Sequence, residues 1–441
     1  MTATRPAPPA AAPPERYRML ALVAIGQFLG MTLWFSASAA APAIAAELAV
    51  TGSGVAWLTM AVQAGFVAGT LVSALLNLAD VLNARRLFAI GCAVGAAANA
   101  TIPAAESAGA IIALRFATGA ALACVYPPGM KIVAGWFLER RGTALGITVG
   151  ALTMGSAFPH LLSWAAAGVD WRTLMWASSG LAITGGALVE TTVGDGPYVS
   201  ASAPFDPHAI EHVIRDRGVR LATLGYLGHM WELYAMWTWI AAFAAASLSA
   251  AGIVTAHTGS LVAFVAIGTG AAGCAIAGFW ADTWGKARVA GAAMLVSGVC
   301  AAVSGFVFGA APWWLFALAI VWGFSVVADS AQFSALVSEF SPRTHVGTAL
   351  TLQVCAGFLL TMISMRLVPA FAGHYGWRWA FVLLVPGPLA GVWTMARLAS
   401  ATSSGTLRTS TSTHRSTDSG SDLPSAARSA SPSGSRPPSR R

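Results

Sequence analysis

Twelve apolar runs, each long enough to cross a bilayer, follow one another between residues 18 and 399 of this 441-residue chain. They lie at approximately 18–44, 51–78, 87–104, 108–136, 143–167, 172–193, 219–249, 255–281, 288–310, 312–338, 345–372 and 377–399, and are numbered spans 1 to 12 in that order. Hydrocarbon about 30 Å thick takes about 20 helical residues to cross. Inside it every backbone N–H and C=O must be bonded within the protein, which leaves helices or a closed barrel. Runs of this length are helical rather than strand-like. Only 10% of the residues are charged, against about 25% in soluble domains, so the water-facing surface of a soluble enzyme is missing.

The expected fold is therefore an all-α membrane protein of twelve transmembrane helices, arranged as two pseudo-symmetric six-helix bundles over residues 18–193 and 219–399. The polar stretch 194–218 links them. The tails, 1–17 and 400–441, carry too little apolar surface to fold and read as disordered. The first run follows Arg16 and Arg18 and is too long for a signal-peptide core, so it is kept as span 1.

Basic residues exceed acidic ones, 25 to 17, but they sit in short loops and tails, which marks topology and not a nucleic-acid surface. Arg85 and Arg86, Arg140 and Arg141, Arg215, Arg217 and Arg220, Lys286 and Arg288, and Arg343 occupy alternate connections, while the intervening ones hold only Arg172 and Arg378. Basic loops stay cytoplasmic, so both termini are expected inside a bacterial-type inner membrane. The five cysteines all fall in apolar runs without metal-ligand spacing, and neither a metal nor a cofactor is expected.

The halves repeat. Asp80 corresponds to Asp282 (282 − 80 = 202), Gly142-Thr143-Ala144-Leu145 to Gly347-Thr348-Ala349-Leu350 (347 − 142 = 205), and Asp170-Trp171-Arg172 to Gly376-Trp377-Arg378 (378 − 172 = 206). Such parallel repeats relate the halves of one transporter class. The segment Gly278-Phe279-Trp280-Ala281-Asp282-Thr283-Trp284-Gly285-Lys286-Ala287-Arg288 resembles the loop signature of the major facilitator superfamily. Leu78–Arg86 is a degraded copy that lacks the glycine before Ala84, and Arg115 with Gly119 resembles the superfamily's second signature. The resemblance covers residues 18–399. It implies a transporter with a central pathway lined by spans 1, 4, 7 and 10. The antiporter signature in span 5 requires a Gly-Pro pair, whereas Pro159 follows Phe158 here.

An acid at the end of one helix can cap a neighbouring helix and pair with its own loop cations. Asp80, Arg85, Arg86, Asp282, Gly285, Lys286 and Arg288 are thus candidate elements of a cytoplasmic gate, or simply a topology anchor. Charged groups within spans are costly and mark pathways by default. Arg115, Lys131, Glu232, Asp329 and Arg366 qualify, with Glu232 and Asp329 near mid-depth. A buried carboxylate can take a proton on one side and release it after the pathway reorients, so these two are the proton-coupling candidates, tuned by Arg115 or Lys131. The competing reading is a permanent pair, for instance with Lys131. Tyr226, His229 and Glu232 form one stripe on span 7, and Trp34, Gln63, Tyr126 and Gln353 complete the candidate pathway. Tyr126-Pro127-Pro128-Gly129 should break span 4.

The sequence thus reads as a monomeric secondary transporter in the lipid bilayer, moving a small organic solute and protons by alternating access. A uniporter, or a receptor on a transporter scaffold, is the alternative. No Gly-x-x-x-x-Gly-Lys-Ser/Thr motif supports ATP-driven pumping, and no clustered His, Cys or carboxylate set supports an enzyme.

Overall fold

The computed structural model describes residues 13–48, 53–166, 168–199, 206–207, 210–253, 257–342, 344–404 and 406–407. Most of both tails, parts of the linker and Arg343 lie outside the described residues.

Among the described residues, ten helices are long and apolar enough to cross a membrane. The two other expected spans differ for separate reasons. Span 1 is split into Arg16–Met31, Ser36–Ala39 and Ala41–Glu47. Span 6, Trp171–Thr192, is 22 residues and so about 33 Å long, but its serines, threonines and glycines dilute its apolar content. Span 7 runs unbroken from Arg217 to Ala250 and starts where Asp216 accepts a hydrogen bond from the Val219 amide, a side-chain N-cap.

The same helix pairings recur in both halves. Span 2 packs on span 4 and span 8 on span 10; span 3 packs on span 6 and span 9 on span 12; span 1 touches spans 5 and 6, as span 7 touches spans 11 and 12. The repeat read from three short motifs is thus a repeat of packing partners. The halves meet along two lines, span 5 against span 8 and span 2 against span 11. At the first, a Cβ on Gly146 would strike the Cys274 carbonyl and one on Gly278 the Gly142 carbonyl, so only hydrogen fits there.

Three rods are interrupted near mid-depth: span 1 at 32–35, span 4 at 123–125 and span 10 at 327–329. The break in span 4 falls just before the predicted one. Pro127 and Pro128 lie in the first turn of Tyr126–Trp136, where a missing N–H costs nothing, and it is the preceding helix that they prevent from continuing. Span 10 breaks at the equivalent place, with helices restarting at Tyr126 and Ser330 (330 − 126 = 204). Neither proline nor glycine stands at 327–329, so this break was not legible beforehand.

Candidate functional site: the breaks, the buried acids and two cavities

A broken membrane helix exposes carbonyls that water cannot reach. Arg115 supplies the donors for span 1. Its guanidinium donates to the carbonyls of Leu33 (2.9 Å), Trp34 and Leu58 (3.1 Å) and to Ser36 Oγ (3.2 Å). Ser36 in turn donates to Asn99 Oδ1 at 2.7 Å. Arg115 is completely buried. All these partners belong to the first half, so Arg115 does not stand beside the two acids as the sequence reading had it. It splints the break.

The break in span 10 is filled differently. Cys274 Sγ donates to the Val327 carbonyl (3.3 Å), and the Asp329 carboxylate meets His229 Nδ1 of span 7 at 2.8 Å. Both members of this pair are buried, 1% and 2% exposed. A pair buried to this degree is shielded from bulk water.

Glu232 stands one turn beyond His229 and is also buried. It accepts hydrogen bonds from Trp322 Nε1 (2.7 Å) and Ser297 Oγ (2.9 Å), so its carboxylate is turned toward spans 9 and 10 within the second half. The predicted single stripe on span 7 is therefore divided. His229 serves the break, Glu232 the bundle interior, and Tyr226 the centre.

Lys131 pairs with Asp80 at 2.5 Å and donates to the Ala79 carbonyl at 2.8 Å. It is committed to the loop after span 2 and not to the mid-depth acids. The second half makes the corresponding link with the charges exchanged, Lys286 on the loop and Glu339 at the end of span 10, also at 2.5 Å. Arg85 binds Asp195 (3.2 Å) and the Val193 carbonyl (2.7 Å), and Arg86 approaches Glu190 at 3.7 Å. Arg288 and Arg366 are exposed.

Asp282 is the loop acid that crosses between halves. It accepts a hydrogen bond from Thr143 Oγ1 (3.2 Å) and lies over Gly142, at the start of helix Arg141–Ala165, where the helix dipole favours an anion. Gly285 turns the chain between helices with φ +90°, which a side chain would resist. The first-half loop turns at Asn77 instead (φ 50°), and Asn83 caps the next helix by accepting from the Arg85 amide (2.9 Å). The glycine absent from the degraded motif is not needed there.

The face at which Arg16–Met31 begins and the last helix ends, the terminal face, also carries these loops. Spans 5 and 8 pack against each other there, across the two halves. Toward the opposite face a cavity of about 540 Å³ separates the halves, lined by Ser38, Thr59, His160, Ser163, Trp171 and Trp239 among others. Beside its rim Glu47 binds Arg172 and Trp171 Nε1; the Arg172 hydrogen bond, then that of Trp171, holds its carboxyl below the usual range. Deeper in lies a small space of about 40 Å³, lined by Tyr126, Tyr226, Tyr234, Trp237 and Phe358. Trp34 adjoins it, 5.7 Å from Tyr234 and 5.8 Å from Phe358. Gln63 and Gln353 are buried with no hydrogen-bond partner for their amide groups among the described residues.

His160 is a lining residue that the sequence reading passed over, as it did Thr59, Ser163 and Trp239. The available signal was a histidine inside an apolar run, directly after Pro159.

The sequence model of the Major Facilitator Superfamily matches residues 23–257 and 233–429. The chain is 30% identical over 171 residues to the hexuronate transporter of Escherichia coli (strain K12), a match covering 38% of each chain. It is 29% identical over 175 residues to the galacturonate transporter of Dickeya chrysanthemi, covering 38% of this chain and 49% of that one. The match thus spans less than half the length of either relative. In fold, the chain is similar to the human organic anion transporter MFSD10 (TETRAN), with a TM-score of 0.64 at 14% identity, covering 87% of this chain and 100% of that one.

Proposed function

Since this chain belongs to the Major Facilitator Superfamily and is a membrane transporter, we propose that it carries a small sugar acid across a bacterial-type inner membrane by alternating access, as a proton-coupled monomer. The observation behind this reading is the asymmetry of the space between the halves. A cavity of about 540 Å³ lies toward one face, while at the terminal face spans 5 and 8 pack against each other with Asp282 seated over Gly142. Exchanging which end is closed would move a solute held between them. The alternate basic loops support a cytoplasmic terminal face. Asp329 with His229 is the proton-carrying pair, and Glu232 is the second acid. The hexuronate and galacturonate transporters that the chain resembles supply the first solutes to try.

Labelled D-galacturonate and D-glucuronate, offered to proteoliposomes with and without a pH gradient, test this reading. Accumulation is expected only with the gradient. Binding without crossing overturns alternating access, and crossing indifferent to the gradient leaves a uniporter.

Closure of the terminal face has its own test. Gly146→Leu would overfill the contact with Cys274, and such overpacking costs about 1–3 kcal/mol. The closed terminal face should then lose about tenfold in population, since about 1.4 kcal/mol is a factor of ten. Faster maleimide labelling of Cys274 is the expected readout. Unchanged labelling would mean that this contact does not close the pathway.

A further inference from the structure

Among the described residues, four buried polar atoms of three residues grouped around Phe35 and Tyr234 have no hydrogen-bond partner. They are both ring nitrogens of His160 and the indole nitrogens of Trp34 and Trp237. The three residues are 1–2% exposed. His160 lines the larger cavity and Trp237 the smaller. Phe35, in the break of span 1, stands between them, its ring centroid 6.1 Å from His160 and 6.0 Å from Trp237. Tyr234 closes the group, 5.7 Å from Trp34 and 5.5 Å from Trp237.

Buried polar groups are nearly always satisfied, and one left bare costs about 1–3 kcal/mol. Trp322, Trp231 and Trp239 in the same bundle all find acceptors for their indole N–H groups, whereas Trp34 and Trp237 find none among the described residues. The inventory of the four atoms also has a sign. Each indole offers a donor and no acceptor; a neutral imidazole offers one donor and one acceptor. The site therefore presents three donors and one acceptor, framed by flat aromatic faces. That ratio suits a ring compound bearing a carboxylate, which only accepts, and at least one hydroxyl, which donates to the imidazole. An amine would find one acceptor, and a neutral sugar would bring one more hydroxyl donor in place of the acceptor-only carboxylate.

We propose that His160, Trp34 and Trp237 form the solute site, with the two indole N–H groups binding the carboxylate and His160 binding a ring hydroxyl of a hydroxylated acid. This rests on the transport reading above but is separable from it. The neighbouring Ser38–Thr59 pair (2.6 Å) and Ser163 extend the hydroxyl-binding edge toward the cavity mouth.

The test is binding of D-galacturonate and of D-galactose, its counterpart without the carboxylate, to purified full-length protein, by calorimetry and by ligand-induced thermal stabilisation. The wild type should bind D-galacturonate well above D-galactose. Trp237→Phe keeps the ring but removes the N–H, and should weaken D-galacturonate by about tenfold or more, the loss expected of one hydrogen bond to a charged group. D-galactose should be little affected by it. His160→Phe should weaken both sugars, and His160→Gln, which again offers a donor and an acceptor, should restore part of the loss. Trp34→Phe repeats the Trp237 test should that variant fail to fold, as judged from the ligand-free melting midpoint. Unchanged affinity in the folded variants overturns the site. So does a wild type that binds neither sugar, even if it accumulates another solute in the presence of a pH gradient; that result would leave transport itself standing.

Discussion

Asp329→Asn is expected to abolish gradient-driven accumulation while solute exchange down its own gradient continues. Asparagine is nearly the same shape and can still hydrogen-bond His229, but it cannot carry a proton between the two faces. The pair is buried and closed at 2.8 Å, so the variant separates its chemistry from its packing. Asp329→Ala is a harsher change. It leaves His229 buried with both ring nitrogens unpartnered, and breaking a buried pair in this way costs about 3–5 kcal/mol. Uptake and counterflow in proteoliposomes, with the melting midpoint as a check on folding, distinguish the two effects. Glu232→Gln is the control, because glutamine retains an oxygen for Trp322 Nε1 or Ser297 Oγ. Should Glu232→Gln abolish accumulation and Asp329→Asn spare it, the coupling acid is Glu232. Should both leave accumulation intact, the proton does not travel by either.

Arg115→Leu should be the most destabilising single change in the first half. The guanidinium serves three main-chain carbonyls, those of Leu33, Trp34 and Leu58, and no water is at hand to replace it. Each orphaned acceptor costs about 1–3 kcal/mol, so even two of them amount to roughly 2–6 kcal/mol. Arg115→Lys should recover only part of this, because an ammonium has three donors clustered at one point and cannot span the fork that reaches spans 1 and 2. The melting midpoint in detergent and the yield of folded protein measure the loss. A midpoint unchanged in Arg115→Leu would show that span 1 holds its break without the splint.

The two variants also divide the molecule by what was legible in its residues. The order of the apolar segments, their helical character and the repeat follow from where apolar residues, arginines and lysines fall along the chain. These are properties of short windows: transfer of 20 residues into hydrocarbon is decided locally, whatever the neighbours. The break in span 4 was likewise visible in Pro127 and Pro128, because proline acts on its own backbone. That Arg115, Lys131, Glu232 and Asp329 would need partners was visible too, since a charge at membrane depth needs one wherever it lies.

Which partner each residue takes was decided only in three dimensions. Arg115 meets carbonyls 57 and more residues away, Lys131 takes Asp80, and Glu232 turns to Trp322, 90 residues on. The break in span 10 has no local cause and is sustained by Asp329, His229 and Cys274 from three different spans. The chain alone thus determined a membrane bundle of two repeated halves with costly polar groups inside. The tertiary structure gave those groups their partners, main-chain carbonyls for Arg115 and the His229 ring for Asp329, because hydrogen bonds act over about 3 Å and only packing brings distant residues that close.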